Sequence, residues 1–274
     1  MDNCYYSKTA KVVPRMQRRK MISCLNETLL KELPQYKEQA QAFIGDIDSE
    51  RRLLRSLMNV RSPMTVQKDF LILQDALLSQ EREERGVVDV AELPTTANPR
   101  IVLWQGDITR LKADAIVNAA NSALLGCFVP CHHCIDNAIH SAAGVQLRQE
   151  CHRLMKKQGC EESNGSAKIT AGYNLPASYV LHTVGPIIHG PLTQKSCDEL
   201  ASCYKSCLSL AAEHNLVSIA FCCISTGEYH FPQKKAAEIA VQTVNDFLYM
   251  NDKIQKVVFN VFSQEDGVIY RDLF

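Results

Sequence analysis

Between residues 127 and 134 the chain reads CFVPCHHC, which places Cys127, Cys131, His132, His133 and Cys134 within eight consecutive positions. With 12 cysteines spread over 274 residues, a window of that length holds well under one cysteine by chance, so the cluster invites a metal-site reading. Thiolate and imidazole are the ligands zinc prefers. Cys127, His132 and Cys134 supply three of them, a set that leaves the fourth tetrahedral position open to water or substrate. Adding Cys131 or His133 would instead close the site into a structural one. Cys131 and Cys134 also spell CxxC, a redox motif that would need a thioredoxin-like βαβ context, which the flanking pattern lacks.

Three further stretches carry polar groups at points where an apolar run ends. WQGDIT, residues 104–109, offers the Asp107 carboxylate, which can accept hydrogen bonds from an exocyclic amine such as that of adenine. NAAN, residues 118–121, offers two side-chain amides able to donate and accept toward sugar hydroxyls. ISTGEYHFP, residues 224–232, can turn backbone N–H groups of Ser225, Thr226 and Gly227 toward an anion, with Pro232 suited to a first helical turn. It is not a Walker A loop, because no GK[ST] follows. His140, His152 and His182 read as structural histidines, and Cys203, Cys207, Cys222 and Cys223 as small core residues.

These groups must be held by an α/β framework. Short β-branched runs at 100–104, 114–118, 168–173, 178–182, 217–223 and 256–262 predict strands, and helical patterns near 135–151, 196–214 and 233–250 lie between or beside them. Sites in such sheets gather in loops beyond the carboxyl ends of strands, where 118–134 and 224–232 both fall. Upstream, residues 1 to about 95 read as helical. Asp48 and Ser49 can cap a helix carrying Leu53, Leu54, Leu57 and Met58, and Phe70, Leu71, Leu73, Leu77 and Leu78 give a second helix its apolar face. Gly86, Pro94 and Pro99 mark a linker, so the chain divides into a helical extension, 1–97, and an α/β domain, 98–274.

Thirty basic residues balance thirty acidic ones, which gives no global field for nucleic acid or an anionic membrane. The basic start, from Lys8 to Lys20, lacks the apolar run of a secretory signal, and no apolar run reaches the roughly 18 residues of a membrane span. A cytoplasmic monomer is therefore expected, with reduced cysteines and no nucleic-acid or membrane partner.

The motifs occur in one order: GDIT, DAIVNAANSALLGC, CIDNAIHSAAG, YVLHTVGP and STGEYHFP. Over roughly residues 100–265 that order resembles the macrodomain family of ADP-ribose-binding and ADP-ribosyl-hydrolysing proteins. With Cys127, His132 and Cys134 where typical members carry glycines, and with RSLMNVRSP and FLILQDALL in the extension, it resembles the zinc-containing branch of microbial protein-ADP-ribose hydrolases. The resemblance implies a three-layer fold with a mixed, mostly parallel sheet flanked by helices. It implies that Asp107 and Ile108 recognise adenine against Phe262, and that the backbone of Ser225, Thr226, Gly227 and Glu228 holds the diphosphate. Tyr229, Asn121 and Asn118 would lie at the distal ribose, with Asn121 and Asp136 nearest the chemistry and Zn2+ on Cys127, His132 and Cys134.

Cys131 stands where this branch carries Asn, His133 where a small residue is common, and Tyr229-His230 where Phe-Gly is usual. A thiol at 131 stands within reach of the open metal position, and a side chain at 230 resists backbone angles that glycine permits. The activity implied is zinc-dependent removal of mono-ADP-ribose from Asp- or Glu-linked protein; two thiolates and a neutral imidazole cancel the ion's formal charge, which favours an electrostatic clamp over strong acidification of water. A non-catalytic ADP-ribose reader, and a purely structural zinc module, are the competing readings. Implied partners are ADP-ribosylated protein, a lipoyl carrier protein among the candidates, and a sirtuin-type ADP-ribosyltransferase counterpart.

Overall fold

A computed structural model of the chain describes residues 18–274; the basic stretch before Arg18 lies outside the described residues. Four helices come first: α1 (Arg18–Glu32), α2 (Lys37–Ala40), α3 (Ile47–Val60) and α4 (Lys68–Arg85). Alternation follows, with β1 (Val88–Asp89), β2 (Ile101–Gln105), β3 (Leu111–Lys112), β4 (Ala115–Ala119), α5 (Ile135–Ala143), α6 (Val145–Gln158), β5 (Ala167–Ala171), β6 (Tyr179–Thr183), α7 (Gln194–Glu213), β7 (Ser218–Phe221), α8 (Gln233–Met250), β8 (Lys256–Val261) and α9 (Gln264–Arg271).

Six strands form one sheet in the order β2-β8-β7-β4-β6-β5, parallel throughout except for β5, which runs antiparallel to β6 at the edge. β4 and β8 are buried almost end to end, as strands covered on both faces must be, which explains their unbroken apolar runs. β4 and β7 are neighbours, yet the chain leaving β4 goes on to β5 and then β6 on one side while the chain leaving β7 goes on to β8 on the other. A crevice opens beyond the carboxyl ends of two such strands. The parallel order puts the ends of β2, β4, β7 and β8 on one edge of the sheet, so Asp107, Asn121, the loop after Phe221 and Phe262 gather there.

The extension has an apolar cluster of its own, built from Met21, Ile22, Leu25 and Leu29 of α1, Leu53, Leu54, Leu57 and Met58 of α3, and Phe70, Leu77 and Leu78 of α4, joined by Val145 at the start of α6. The sequence placed the cap of α3 at Asp48 and Ser49; the observed cap is Asp46, whose side chain accepts from the Ser49 N–H at 2.9 Å. One helix was expected over 135–151, and two are found. Gly144 has φ 97°, and a Cβ there would stand 2.6 Å from the Gln74 amide of α4, so the break is where the extension seats against the α/β domain. No described helix is long and apolar enough to cross a membrane.

Candidate functional site

The loop from β4 to α5 carries the cysteine and histidine cluster, and it sorts the five residues. Ligand atoms of Cys127, His132 and Cys134 all lie within 4.8 Å of one another, with Cys127 Sγ 3.7 Å from His132 Nδ1. Tetrahedral zinc bonds of about 2.3 Å to sulfur and 2.0 Å to nitrogen set such ligands roughly 3.5 Å apart, so this donor set fits zinc with little closure. Burial pushes the Cys134 thiol up to about 12, and its sulfur caps α5 by accepting the Asn137 N–H at 3.4 Å. His133 is exposed and outside the set. Cys131 is also outside it, its sulfur 3.3 Å from Ser56 Oγ and 3.6 Å from the Arg52 carbonyl of α3. The thiol expected to reach a fourth ligand position is therefore turned away from the three donors.

Beside the cluster stands Asp136, buried in the first turn of α5. Asn118 Nδ2 donates to its Oδ1 at 2.8 Å and Asn121 Nδ2 to its Oδ2 at 3.3 Å. Burial lifts the carboxyl to about 6, partly opposed by the Asn118 bond and the charge of Arg148. Asn121 is half-buried at the crevice, with a further bond from its amide to the Gly126 carbonyl at 3.1 Å. Asn118 is fully buried beneath it, so its side chain serves Asp136 and lies 3.2 Å from His182 Nδ1.

His140, Cys151 and His182 form a second set of converging donors, all buried under the first. His182 Nε2 is already engaged by Thr170 Oγ1 at 2.9 Å, and burial holds the ring neutral by lowering it to about 3. His182 is thus the satisfied structural histidine the sequence suggested, while His140 differs. Neither ring nitrogen of His140 has a hydrogen-bond partner among the described residues, and Asp136 Oδ1 lies 3.5 Å from its Nε2. The ring instead presses on Gly126, where a Cβ would stand 2.8 Å from it and where φ is 77°.

The opposite wall is the loop from β7 to α8. It folds on itself through Thr226 Oγ1 to the Cys223 carbonyl (3.0 Å), the His230 N–H to the Gly227 carbonyl (3.0 Å) and the Phe231 N–H to the Ser225 carbonyl (2.9 Å). The amide N–H groups of Thr226, Gly227 and Glu228 have no protein acceptor among the described residues, which leaves them to an anion at the start of α8. Ser225 and His230 hold φ of 65° and 56°, so the side chain at 230 does occupy the glycine-favouring region. Tyr229 is half-buried, its carbonyl accepting from the Ile188 N–H at 2.9 Å. Glu228 reaches across to the loop from β4 to α5, Oε1 lying 3.6 Å from His132 Nε2.

At the far end Asp107 Oδ1 caps a short turn, accepting from the Thr109 N–H (2.9 Å) and hydroxyl (2.7 Å), and Oδ2 faces Arg85 of α4 at 3.5 Å. Ile108 buries its side chain in the core, which leaves its backbone to face a ligand. Phe262 projects from the end of β8, 80% exposed.

The residue that sequence reasoning missed is Arg148 of α6. Its buried guanidinium donates to the carbonyls of Met58 (3.1 Å), Asn59 (2.7 Å) and Arg61 (2.6 Å) at the end of α3, and to those of Leu125 (2.6 Å) and Cys127 (3.3 Å) in the loop from β4 to α5. The last carbonyls of a helix have no partner within it and carry its negative end, so a cation is well placed there. Burial nevertheless lowers Arg148 to about 10. In the sequence VQLRQECHRL it looks like any solvated helical arginine, and no local signal separates it.

A model of the Macro domain matches residues 117–240. A protein-ADP-ribose hydrolase of Treponema medium is 54% identical over 252 residues, which covers 91% of this chain and 96% of that protein. One from Staphylococcus aureus (strain MSSA476) is 51% identical over 223 residues, covering 81% and 84%. Among solved structures, a Trypanosoma brucei macrodomain in complex with ADP-ribose superposes with a TM-score of 0.63 at 31% identity, over 80% of this chain and 94% of that one.

Proposed function

This chain belongs to the Macro domain family and removes ADP-ribose from proteins, and we propose that it does so at Asp- or Glu-linked mono-ADP-ribose with a zinc ion held by Cys127, His132 and Cys134. The observation that carries the reading is the convergence of three donors at the crevice edge beside Asn121 and Asp136, with the third thiol of the cluster, Cys131, turned away. That placement also removes the feature that favoured a non-catalytic reader.

The chain's own groups divide the work of binding. The N–H groups of Thr226, Gly227 and Glu228 receive the diphosphate, while Asp107, Ile108 and Phe262 take the adenine end. Asn121, braced by Asp136, and Tyr229 orient the distal ribose so that its anomeric carbon lies toward Cys127 and Cys134. Zinc, when bound, supplies an electrostatic clamp on the ribose or the ester oxygen as the bond from C1″ to that oxygen breaks. Water adds to C1″, and the products are ADP-ribose and the free carboxylic acid. The proposal takes a lipoyl carrier protein as a candidate substrate and a sirtuin-type ADP-ribosyltransferase as the enzyme that modifies it, with the hydrolase a cytoplasmic monomer.

The test is to incubate the protein with a carboxylate-ADP-ribosylated protein and follow free ADP-ribose before zinc removal, after it and after readdition, with metal content measured on the same samples. Release is expected to vanish with the metal and return with it. Unchanged release from zinc-free protein would falsify the metal part of the reading.

A further inference from the structure

The metal loop has little structure of its own. Between Leu125 and Cys134 the one internal backbone bond among the described residues runs from the His132 N–H to the Val129 carbonyl at 3.3 Å. The other anchored backbone groups are held from outside. Asn59 Oδ1 of α3 accepts from the Cys131 N–H at 2.9 Å, and Arg55 of α3 donates to the His132 carbonyl at 3.2 Å. Arg55 also donates to Asn137 Oδ1 at 2.8 Å, and Asn137 in turn donates to the Val129 carbonyl at 2.9 Å. Arg148 ties Leu125 and Cys127 to the end of the same helix.

These contacts fix the direction of the thiol at 131. Cys131 holds φ 51°, a left-handed conformation that a non-glycine residue keeps only when its surroundings enforce it. Asn59 on its N–H and Arg55 on the next carbonyl are that enforcement. With the backbone so turned, the Cys131 sulfur meets Ser56 Oγ and the Arg52 carbonyl, while the His132 ring comes round to Cys127. A loop free to relax has no such constraint. A third thiolate, three residues from Cys134, is then an available fourth zinc ligand, and a fourth ligand closes the site.

We propose that the helical extension is part of the metal centre: Arg55 and Asn59 are positioning residues that hold the loop so that Cys131 stays on α3 and the metal keeps an open position. The inference rests on the zinc reading above. It gives the extension a role beyond covering the α/β domain, because the residues concerned touch the loop and not the sheet.

The experiment loads full-length protein with zinc or with cobalt(II) and reads two quantities. One is the rate of zinc transfer to an excess of a chromogenic chelator. The other is the thiolate-to-cobalt charge-transfer absorbance, which grows with the number of coordinated thiolates. Wild-type protein should show two thiolates and slow release. Arg55→Met, at a half-exposed position, and Asn59→Ala should each release zinc about 10-fold faster or more, the range typical of groups that orient metal ligands. Combined, they should show a third thiolate that disappears when Cys131→Ser is added. Arg51→Met is the control for mere loosening, since Arg51 pairs with Glu81 inside the extension, at 2.6 Å, and makes no contact with the loop. It should lower the melting temperature and leave both readouts unchanged. Wild-type release rates and two thiolates in folded Arg55→Met and Asn59→Ala proteins would overturn the inference. Failure of wild-type protein to take up either metal would instead overturn the zinc reading beneath it.

Discussion

Two loops face each other across the crevice, and they are held in opposite ways. The loop after β7 closes on itself, with three short bonds among its own residues, and takes one further backbone bond from outside, from the Ile188 N–H to the Tyr229 carbonyl. The stretch from Leu125 to Cys134 has one internal backbone bond among the described residues and borrows the rest from α3, α5 and α6. Chemistry explains the difference. Consecutive N–H groups are aligned by a compact turn without help, whereas three Cys and His donors spread over eight residues must be brought together from outside.

The largest expected effect removes a ligand. Cys134→Ala should cut ADP-ribose release by about 100-fold or more while ADP-ribose itself still binds within about fivefold, since the turn after β7 is intact. Single-turnover release and calorimetric titration with ADP-ribose measure the two sides. Loss of both together would mean that the two loops are not independent. Next comes Arg148→Met, which leaves five carbonyls without their donor and should destabilise the protein by about 3–5 kcal/mol in urea unfolding. An effect below about 1 kcal/mol would show that the borrowed anchoring of the metal loop is dispensable.

The turn after β7 offers a smaller lever in the opposite direction. His230→Gly should raise stability by about 1 kcal/mol, because a side chain at φ 56° carries a cost that glycine does not. Denaturant unfolding read by the midpoint, at unchanged slope, is the measurement; a destabilised variant would mean that the histidine side chain itself contributes packing. The smallest effect belongs to Cys131→Ser, which should leave zinc content and turnover within about twofold of wild type, since the thiol sits on Ser56. Loss of one equivalent of zinc would make Cys131 a ligand after all.

What the sequence made legible follows the same division. The main strands and the turn after β7 are local patterns, and they could be read from apolar runs and the residues that end them; the order of the strands in the sheet, which rests on pairing between distant segments, could not. The strain at His230 was legible too, because a side chain stands where the family carries glycine. The fate of Cys131 was not, since it depends on Asn59 and Ser56, more than seventy positions away. The break between α5 and α6 was hidden because apolar periodicity runs through SAAGVQL, and only contact with Gln74 makes Gly144 a boundary. Arg148 was invisible for a related reason: a buried guanidinium is spelled like an exposed one.

The reach of Glu228 to His132 has a consequence that belongs to thermodynamics rather than to geometry. One imidazole faces Cys127 through Nδ1 and Glu228 of the turn after β7 through Nε2, so on the proposed reading the metal and the nucleotide share a residue. Sites so joined must exchange influence equally. By whatever factor bound zinc tightens ADP-ribose, bound ADP-ribose tightens zinc by that same factor. If Cys134→Ala leaves nucleotide affinity within about fivefold, that reciprocal coupling is held to about 1 kcal/mol. The product then neither locks the metal in nor strips it out as it leaves.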